Sequence, residues 1–462
     1  MLLVAPFFAA FRSGGYGVKS QLIIAVAALL VLAAIACAAP WPPLPGGLPL
    51  AVLGALTGYA FWVGLSTGWA RVIEPAVHDT DRVGAYVAAF ALALAVMRDA
   101  RIRRAAPPAL LAGVVLVSLY ALAGRLLPDV VHEQADTARL SQPLTYWNAL
   151  GMFTGFGMLL GVALAGDRGW SRPARASACA AAVPCGLTAY LTLSRGVAAS
   201  VIAGLVVCSA LRRGRLTALA AGCALVPVIA LALLLNAFPT VLSVDSGGGD
   251  QATQGAIFVP VALLATLLAG VAFARLTRTE LGRGALPLRP RTRAAIVIAA
   301  VPLVLAIAVG IAGHGKERTR LPTTAARITS VETARGHYWR VALGAFARHP
   351  VNGIGSGSFA SEWRRKRGSD QPAQDAHSLY LETLAELGLV GAAALGLFLA
   401  AVVAGIVRAA RTVPRDPLVA AAAAVLGAFA IHLALDWDWE MPAVSLIPLA
   451  LAAAVLQRRA AG

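Results

Sequence analysis

Charge is scarce in this sequence. Asp, Glu, Lys and Arg make up 13% of the 462 residues and 59% are hydrophobic, whereas about 25% of the residues of a soluble protein are charged. Apolar stretches of roughly 20 residues recur along the whole chain, and each could cross about 30 Å of hydrocarbon as a helix. The alternating pattern of membrane β-barrel strands is absent. We therefore predict an all-α, polytopic membrane helix bundle.

Cysteine and targeting signals are scarce too. The five cysteines lie in or near apolar stretches, without a CxxC or another metal-ligand spacing. We therefore interpret them as small packing residues. Residues 1–11 have neither a basic n-region nor an obvious cleavage site, so a cleaved signal peptide is not predicted.

The apolar segments predict about 12 to 13 transmembrane helices. Boundaries read from a sequence are accurate only to within a few residues. The predicted spans are 20–39, 48–67, 83–97, 106–124, 148–166, 175–193, 197–211, 216–240, 256–275, 294–313, 379–407, 418–436 and 443–457.

Arginine-rich connectors indicate the orientation of these spans. The formal net charge of +17 comes mostly from short clusters between spans, which are typical of the cytoplasmic side of a membrane protein rather than of a nucleic-acid surface. Every second connector carries such a cluster, at 98–104, 168–175, 212–215, 275–293, 408–415 and 458–459. The other connectors are predicted to face outward, among them the long segment 314–376. The side of the N-terminus stays open.

The outer segment 314–376 carries eleven Lys or Arg against five acids. This excess predicts either a solvated surface or a field that attracts an anionic substrate. A helix beginning near Arg335 is predicted to be amphipathic and to lie at the membrane interface, with Tyr338 and Trp339 at headgroup level. The Gly353-x-Gly355-x-Gly357 run is predicted to be a turn, since no lysine occupies the position that a nucleotide-binding loop requires.

His377 lies where the outer segment meets an apolar span. If the helix begins near Ala376, the histidine lies in its first turn and shares a face with Tyr380, Leu384 and Gly388. A histidine at this boundary could act as a general base, because its reference pKa of about 6.5 is close to neutral. The alternative is a structural histidine that is hydrogen-bonded to a loop carbonyl.

Two outward turns carry further candidates. Arg195 stands in the tight Ser194-Arg195-Gly196 turn, where it could bind phosphate oxygens or serve as an interfacial anchor. Asp436 and Asp438 alternate with tryptophans in an acidic turn. This turn could contact sugar hydroxyls and sugar faces, or it could be an aromatic belt with solvated acids.

Taken together, these elements resemble the O-antigen ligase and O-antigen polymerase superfamily of bacterial membrane glycosyltransferases. The resemblance rests on the order of four short motifs in this chain. They are Ser194-Arg195-Gly196, Arg335 with Trp339, Pro350/Gly353/Gly355/Phe359, and His377/Ser378/Tyr380/Leu381/Glu386/Gly388/Gly391.

The resemblance implies a fold of the membrane glycosyltransferase type C and transfer of a glycan from a polyprenyl diphosphate carrier. It implies His377 as the catalytic base and Arg335 with Arg195 as diphosphate-binding residues. Arg340, Trp339, Asp436 and Asp438 become possible substrate contacts. It also implies a lipid, glycan or protein acceptor and surrounding membrane lipids, with no cofactor, no metal ion and no nucleic acid.

The same resemblance divides the chain into N-terminal transmembrane helices at 1–189, a ligase-like core at 190–395 and C-terminal transmembrane helices at 396–462. It implies a multi-pass protein of the cytoplasmic membrane with an extracytoplasmic active site. A polymerase of the same superfamily is the nearest alternative, because the motifs do not identify the acceptor. A solute transporter is the alternative from another class, although the middle of each predicted span is nearly free of charge.

Overall fold

The computed structural model describes residues 3–38, 46–131, 139–212, 214–242, 248–278, 335–367 and 372–458. These ranges are helical and contain no strand. In chain order the helices are α1 Ala5–Ala10, α2 Val18–Ala38, α3 Leu48–Ser66, α4 Ile73–Val96, α5 Ala100–Leu126, α6 Trp147–Ala165, α7 Arg172–Leu191, α8 Arg195–Arg212, α9 Arg215–Leu234, α10 Pro239–Leu242, α11 Gly248–Leu276, α12 Arg335–Arg348, α13 Phe359–Lys366, α14 Leu379–Thr412, α15 Pro417–Leu433 and α16 Pro442–Leu456.

The predicted polytopic helix bundle is confirmed. Within the described ranges, 8 helices are long and apolar enough to cross a membrane, namely α2, α3, α5, α6, α8, α9, α11 and α14. The apolar helices α15 and α16 are shorter, with 17 and 15 residues. Each predicted span except 294–313 coincides with one of the described helices, and 294–313 lies outside the described residues.

Helix α4 begins ten residues before its predicted start, at Ile73 instead of residue 83. The first turns of α4 are polar. The sequence pattern therefore assigned them to the connector between the predicted spans 48–67 and 83–97. Arg82 is 5% exposed and pairs with Asp79 at 2.8 Å and with Glu440 at 3.3 Å. These ion pairs allow the charged end of the helix to be buried against the turn before α16.

Helix α6 forms the centre of the bundle. Its apolar stretch is entirely buried. The helix packs against α5, α7, α8 and α15. Close approach depends on small residues, as at Gly161, where an added Cβ would lie 2.7 Å from the Ala178 carbonyl oxygen of α7. Because α6 begins at Trp147, its first turn carries polar residues into the same end of the bundle as the His377 junction.

Helix α14 is broken at Gly388, which has a φ of 64°. The segment that follows α12 pairs with the break: Ile354 N donates to Ala385 O at 3.0 Å, and Leu389 N donates to Pro350 O at 2.8 Å. The glycine-rich turn and the Glu-x-Gly motif of α14 therefore form one structural unit. Gly388 was expected to lie on the face that bears His377, but it terminates that face instead.

The described part of the outer segment is partly helical, as predicted. Tyr338 on α12 is 7% exposed and lies 4.7 Å, centroid to centroid, from Trp363 on α13. Tyr338 therefore packs inside the segment, and its position at headgroup level stays a prediction. Glu362 on α13 binds both Arg71 and Arg348, which attaches the segment to the turn before α4.

Candidate active site

Arg335 opens α12 and reaches the turn between α15 and α16. Its Nη2 donates to Asp436 Oδ2 at 2.7 Å, with 26% of the arginine side chain and 1% of the aspartate side chain exposed. One edge of the guanidinium is thus fixed to a buried carboxylate. Because a guanidinium has five N–H donors, the remaining donors can bind another anion at the same time.

Asp436 collects donors from three parts of the chain. In addition to Arg335, it accepts hydrogen bonds from the Tyr146 hydroxyl at 2.7 Å, from Asn148 Nδ2 at 2.5 Å and from the backbone N of Trp437 at 3.0 Å. Burial by itself raises the pKa of Asp436, but Arg335, followed by the two nearby histidines, lowers it below the ordinary value. The group is therefore a charged acceptor that holds its neighbours in place.

His377 lies two residues before α14 rather than in its first turn. Ser378 is the N-cap of the helix, and His377 has a φ of 54°. Its ring stacks on Tyr338 with centroids 5.1 Å apart. Its Nδ1 lies 3.0 Å from the Asp375 carbonyl oxygen. A carbonyl can only accept, so Nδ1 carries the proton of the neutral ring and Nε2 keeps its lone pair.

The burial of His377 favours this neutral form. Burial lowers the pKa of His377, the negative charge of Asp436 partly raises it, and the positive charge of Arg335 lowers it further. The net pKa lies below the ordinary histidine value of 6.5. A neutral imidazole can accept a proton from a bound hydroxyl at neutral pH.

Arg195 is the first residue of α8, so the tight connection between α7 and α8 lies at 192–194 rather than at the predicted Ser194-Arg195-Gly196. An added Cβ on the next residue, Gly196, would lie 3.5 Å from His432 Nε2 and 3.5 Å from the Leu435 side chain. The start of α8, which carries Arg195, therefore packs against the end of α15 that leads into Asp436.

The other predicted substrate contacts lie in different environments. At 100° per residue, Trp339 lies on the Arg335 side of α12, whereas Arg340 points well away from it and is exposed. Asp438 is buried with 0% of its side chain exposed, and it lies 2.8 Å from His432 Nδ1. With Asp436 at 1% exposed, the interpretation of this turn as an aromatic belt with solvated acids is wrong.

The residues that support Asp436 were not predicted from the sequence. Arg139 donates to Asn148 Oδ1 at 3.0 Å and to the carbonyl oxygen of Thr192 at 2.7 Å. Its guanidinium carbon also lies 4.5 Å from the ring centroid of Trp147. A chain of side-chain hydrogen bonds thus runs from Arg139 through Asn148 and Asp436 to Arg335. The only sequence signal was an asparagine at the start of a strongly apolar span.

A cavity of about 520 Å³ lies next to the His377 junction. Its wall includes Asp375, Glu382 and Glu440, whose carboxylate oxygens all lie within 4.8 Å of one another. These are the groups in the described part of the chain that could together hold a metal ion. Burial, followed by the charge of Glu440, raises the pKa of Asp375.

Part of the chain that forms this site is similar to a known protein family. Residues 251–396 match the family model described as O-Antigen ligase. This part of the chain is therefore similar to O-antigen ligase domains. No curated protein matches the chain. The match supports a role of the ligase and polymerase kind in surface polysaccharide assembly. The matched residues include Arg335 and His377, whereas Arg195 at the start of α8 and Asp436 in the turn between α15 and α16 lie outside them, at the same end of the bundle.

Proposed function

We propose that this protein transfers a glycan from a polyprenyl diphosphate carrier to an acceptor hydroxyl or amine at the outer face of the cytoplasmic membrane. The observation that supports the proposal is the convergence of Arg335, His377 and Asp436. Arg335 and His377 come from the two ends of the described outer segment, within the residues that match the O-antigen ligase family, and Asp436 comes from the turn between α15 and α16.

Arg335 and Arg195 bind the diphosphate in this proposal. As the glycosidic bond breaks, negative charge develops on the leaving diphosphate, and a cation held in advance stabilises that charge. The ion pair with Asp436 holds Arg335 in place before the substrate arrives. Arg195 lies at the N-terminus of α8, where the helix dipole also favours an anion.

His377 acts as the general base. Its Nε2 removes the proton from the acceptor group while the acceptor oxygen or nitrogen forms a bond to the anomeric carbon. The bond from that carbon to the diphosphate oxygen breaks, and the diphosphate leaves on its lipid carrier. Attack from the face opposite the diphosphate inverts the anomeric configuration. The proposed reaction uses no metal ion, because the arginines supply the positive charge.

Sugar and acceptor contacts are assigned to the residues around this centre. Trp339 offers an aromatic face, and its Nε1 is buried without a hydrogen-bond partner among the described residues. Arg340 is exposed and could contact an acidic sugar. Asp436 and Asp438 stay candidates for sugar contacts, although the carboxylate of Asp436 is already surrounded by donors. The acceptor is a lipid, a glycan or a protein.

A deletion strain of the source bacterium tests the function. Without the protein, a lipid-linked glycan should accumulate and a surface polymer should disappear, and the wild-type chain should restore both. Accumulated long chains would indicate a ligase, whereas single repeat units would indicate a polymerase of the same superfamily. Unchanged lipid-linked glycans and an unchanged surface polymer would contradict both, and loss of uptake or export of a small solute would favour the transporter alternative.

A further inference from the structure

A second cavity lies at the opposite ends of the helices that carry the candidate active site. Its volume is about 340 Å³. It lies between the start of α5, the end of α6, the start of α15 and Arg458, which is two residues beyond the end of α16. Helix α15 runs from Pro417 at this cavity to Leu433 beside Asp436, and 17 residues of helix span about 26 Å. The cavity and the active site therefore lie at opposite ends of the bundle.

This end of the bundle is strongly basic. The segments 98–104, 167–175 and 408–416, together with Arg458, contain eleven arginines and three aspartates. The aspartates that line the cavity already have local partners. Asp416 caps α15 through Leu418 N at 2.8 Å and binds Arg458 at 2.7 Å. The field that reaches the cavity is therefore positive, and the positive-inside rule predicts that this face is cytoplasmic.

Arg104 is the arginine best placed to bind a ligand here. It is exposed, lines the cavity and donates one hydrogen bond to the Gly169 carbonyl oxygen at 2.8 Å. Its guanidinium carbon lies 5.2 Å from the ring centroid of Trp170. These contacts fix the guanidinium, and its other N–H groups remain able to donate to phosphate oxygens.

The floor of the cavity is apolar. Pro107 of α5, Leu164 of α6 and Leu418 with Ala421 of α15 provide it. A soluble anion would not need such a wall, whereas a phospholipid presents a phosphate directly above glycerol and acyl carbons. A tryptophan at the rim is typical of the depth of lipid headgroups.

We propose that this cavity binds the headgroup of an anionic phospholipid from the cytoplasmic leaflet. The phosphate would contact Arg104 and the cavity's other arginines, Arg103 and Arg458, and the glycerol would lie on the apolar floor. Basic pockets between transmembrane helices on the cytoplasmic side are suited to anionic headgroups. This inference does not depend on the glycosyl-transfer proposal, because the two sites lie at opposite ends of the bundle.

Native mass spectrometry of the purified full-length chain with added lipids tests the inference. The wild-type protein should bind phosphatidylglycerol or cardiolipin more tightly than phosphatidylcholine. Arg104→Gln should weaken anionic lipid binding roughly fivefold, because one basic residue near a headgroup contributes about that factor. Arg104→Lys should retain most of it. Arg411→Gln is the matched control, since this exposed arginine lies on the same face and does not line the cavity.

The other outcomes would overturn the inference. Equal affinity of wild type and Arg104→Gln for phosphatidylglycerol would remove the assigned contact. Equal loss in Arg411→Gln would indicate a diffuse surface charge. If millimolar inorganic phosphate competed with the lipid and bound with the same affinity, the ligand would be a soluble anion instead of a lipid. If Arg104→Gln does not yield a monodisperse protein, the wild-type preference for anionic lipid and the phosphate competition still decide the question.

Discussion

Arg335 and Asp436 form an ion pair of 2.7 Å between residues 101 positions apart in the chain. The pair joins the outer segment to the turn between α15 and α16, and it lies beside His377, whose pKa both charges affect. Its strength depends on burial, because a carboxylate that is 1% exposed is poorly screened by water.

Asp436→Asn should therefore reduce both stability and transfer. The substitution leaves the Arg335, Tyr146 and Asn148 donors facing a neutral amide, and removal of one charge from a buried pair costs about 3 to 5 kcal/mol. We expect a lower unfolding temperature in detergent and at least a tenfold lower rate of transfer from a polyprenyl diphosphate-linked donor. Asp129→Asn, an exposed acid, is the control. A variant with wild-type stability and rate would remove Asp436 from its supporting role.

His377→Asn should abolish most transfer while leaving the protein folded. Asparagine tolerates the left-handed backbone region that His377 occupies at a φ of 54°, so the change removes the base without adding strain. General base catalysis contributes about 10²- to 10⁴-fold, and we expect a loss in kcat of that size. Membrane insertion should be unchanged. The exposed His337 provides a control as His337→Asn, and a His377→Asn rate within tenfold of wild type would refute the assignment.

The rate of transfer should depend on pH through His377. Its pKa lies below 6.5 because burial disfavours the imidazolium, so the neutral base persists at pH 7 and the rate falls only when the pH drops below that range. Single-turnover rates between pH 5 and 8 measure this limb. Arg335 lowers the pKa and Asp436 raises it, so residual activity should have its acid limb at higher pH in Arg335→Gln and at lower pH in Asp436→Asn. Shifts in the opposite directions would contradict the arrangement.

The same group affects stability. The pKa of His377 is lower in the folded state than in the unfolded state. Its contribution to the free energy of unfolding is therefore fully present above the unfolded-state pKa of about 6.5. The contribution is lost as the pH falls through the folded-state pKa. His377→Asn should therefore flatten the fall of the unfolding temperature between neutral and acidic pH.

The sequence predicted much of this architecture because apolar length and arginine clusters are local signals. It also indicated Arg335, His377 and Asp436 one by one. It could not indicate that Asn148 and Arg139 complete a hydrogen-bond chain to Asp436, since that depends on which helix ends meet. The burial of the acids before α16 was not predicted for a similar reason. An acidic turn is expected to be solvated unless the helix that covers it is known, and here that helix is α4 with Arg82.

The break in α14 was not predicted because a glycine in an apolar span also suits close helix packing. Gly388 combines a φ of 64° with a ψ of −162°, a region that only glycine adopts readily and that costs other residues about 1 to 3 kcal/mol. An added Cβ would also lie 2.3 Å from the Val351 carbonyl oxygen. The position therefore excludes any side chain on two independent grounds.

Gly388→Ala should consequently lower the unfolding temperature by several degrees and reduce transfer, because the break holds the outer part of α14, with His377 at its start, against the glycine-rich turn. Gly396→Ala lies two turns later in the same helix, where an added Cβ meets nothing within 4 Å, and it should behave like wild type. Thermal unfolding in detergent and transfer assays of both variants measure the difference. Equal unfolding temperatures for the two would mean that α14 can straighten at Gly388 and that the turn does not depend on the break.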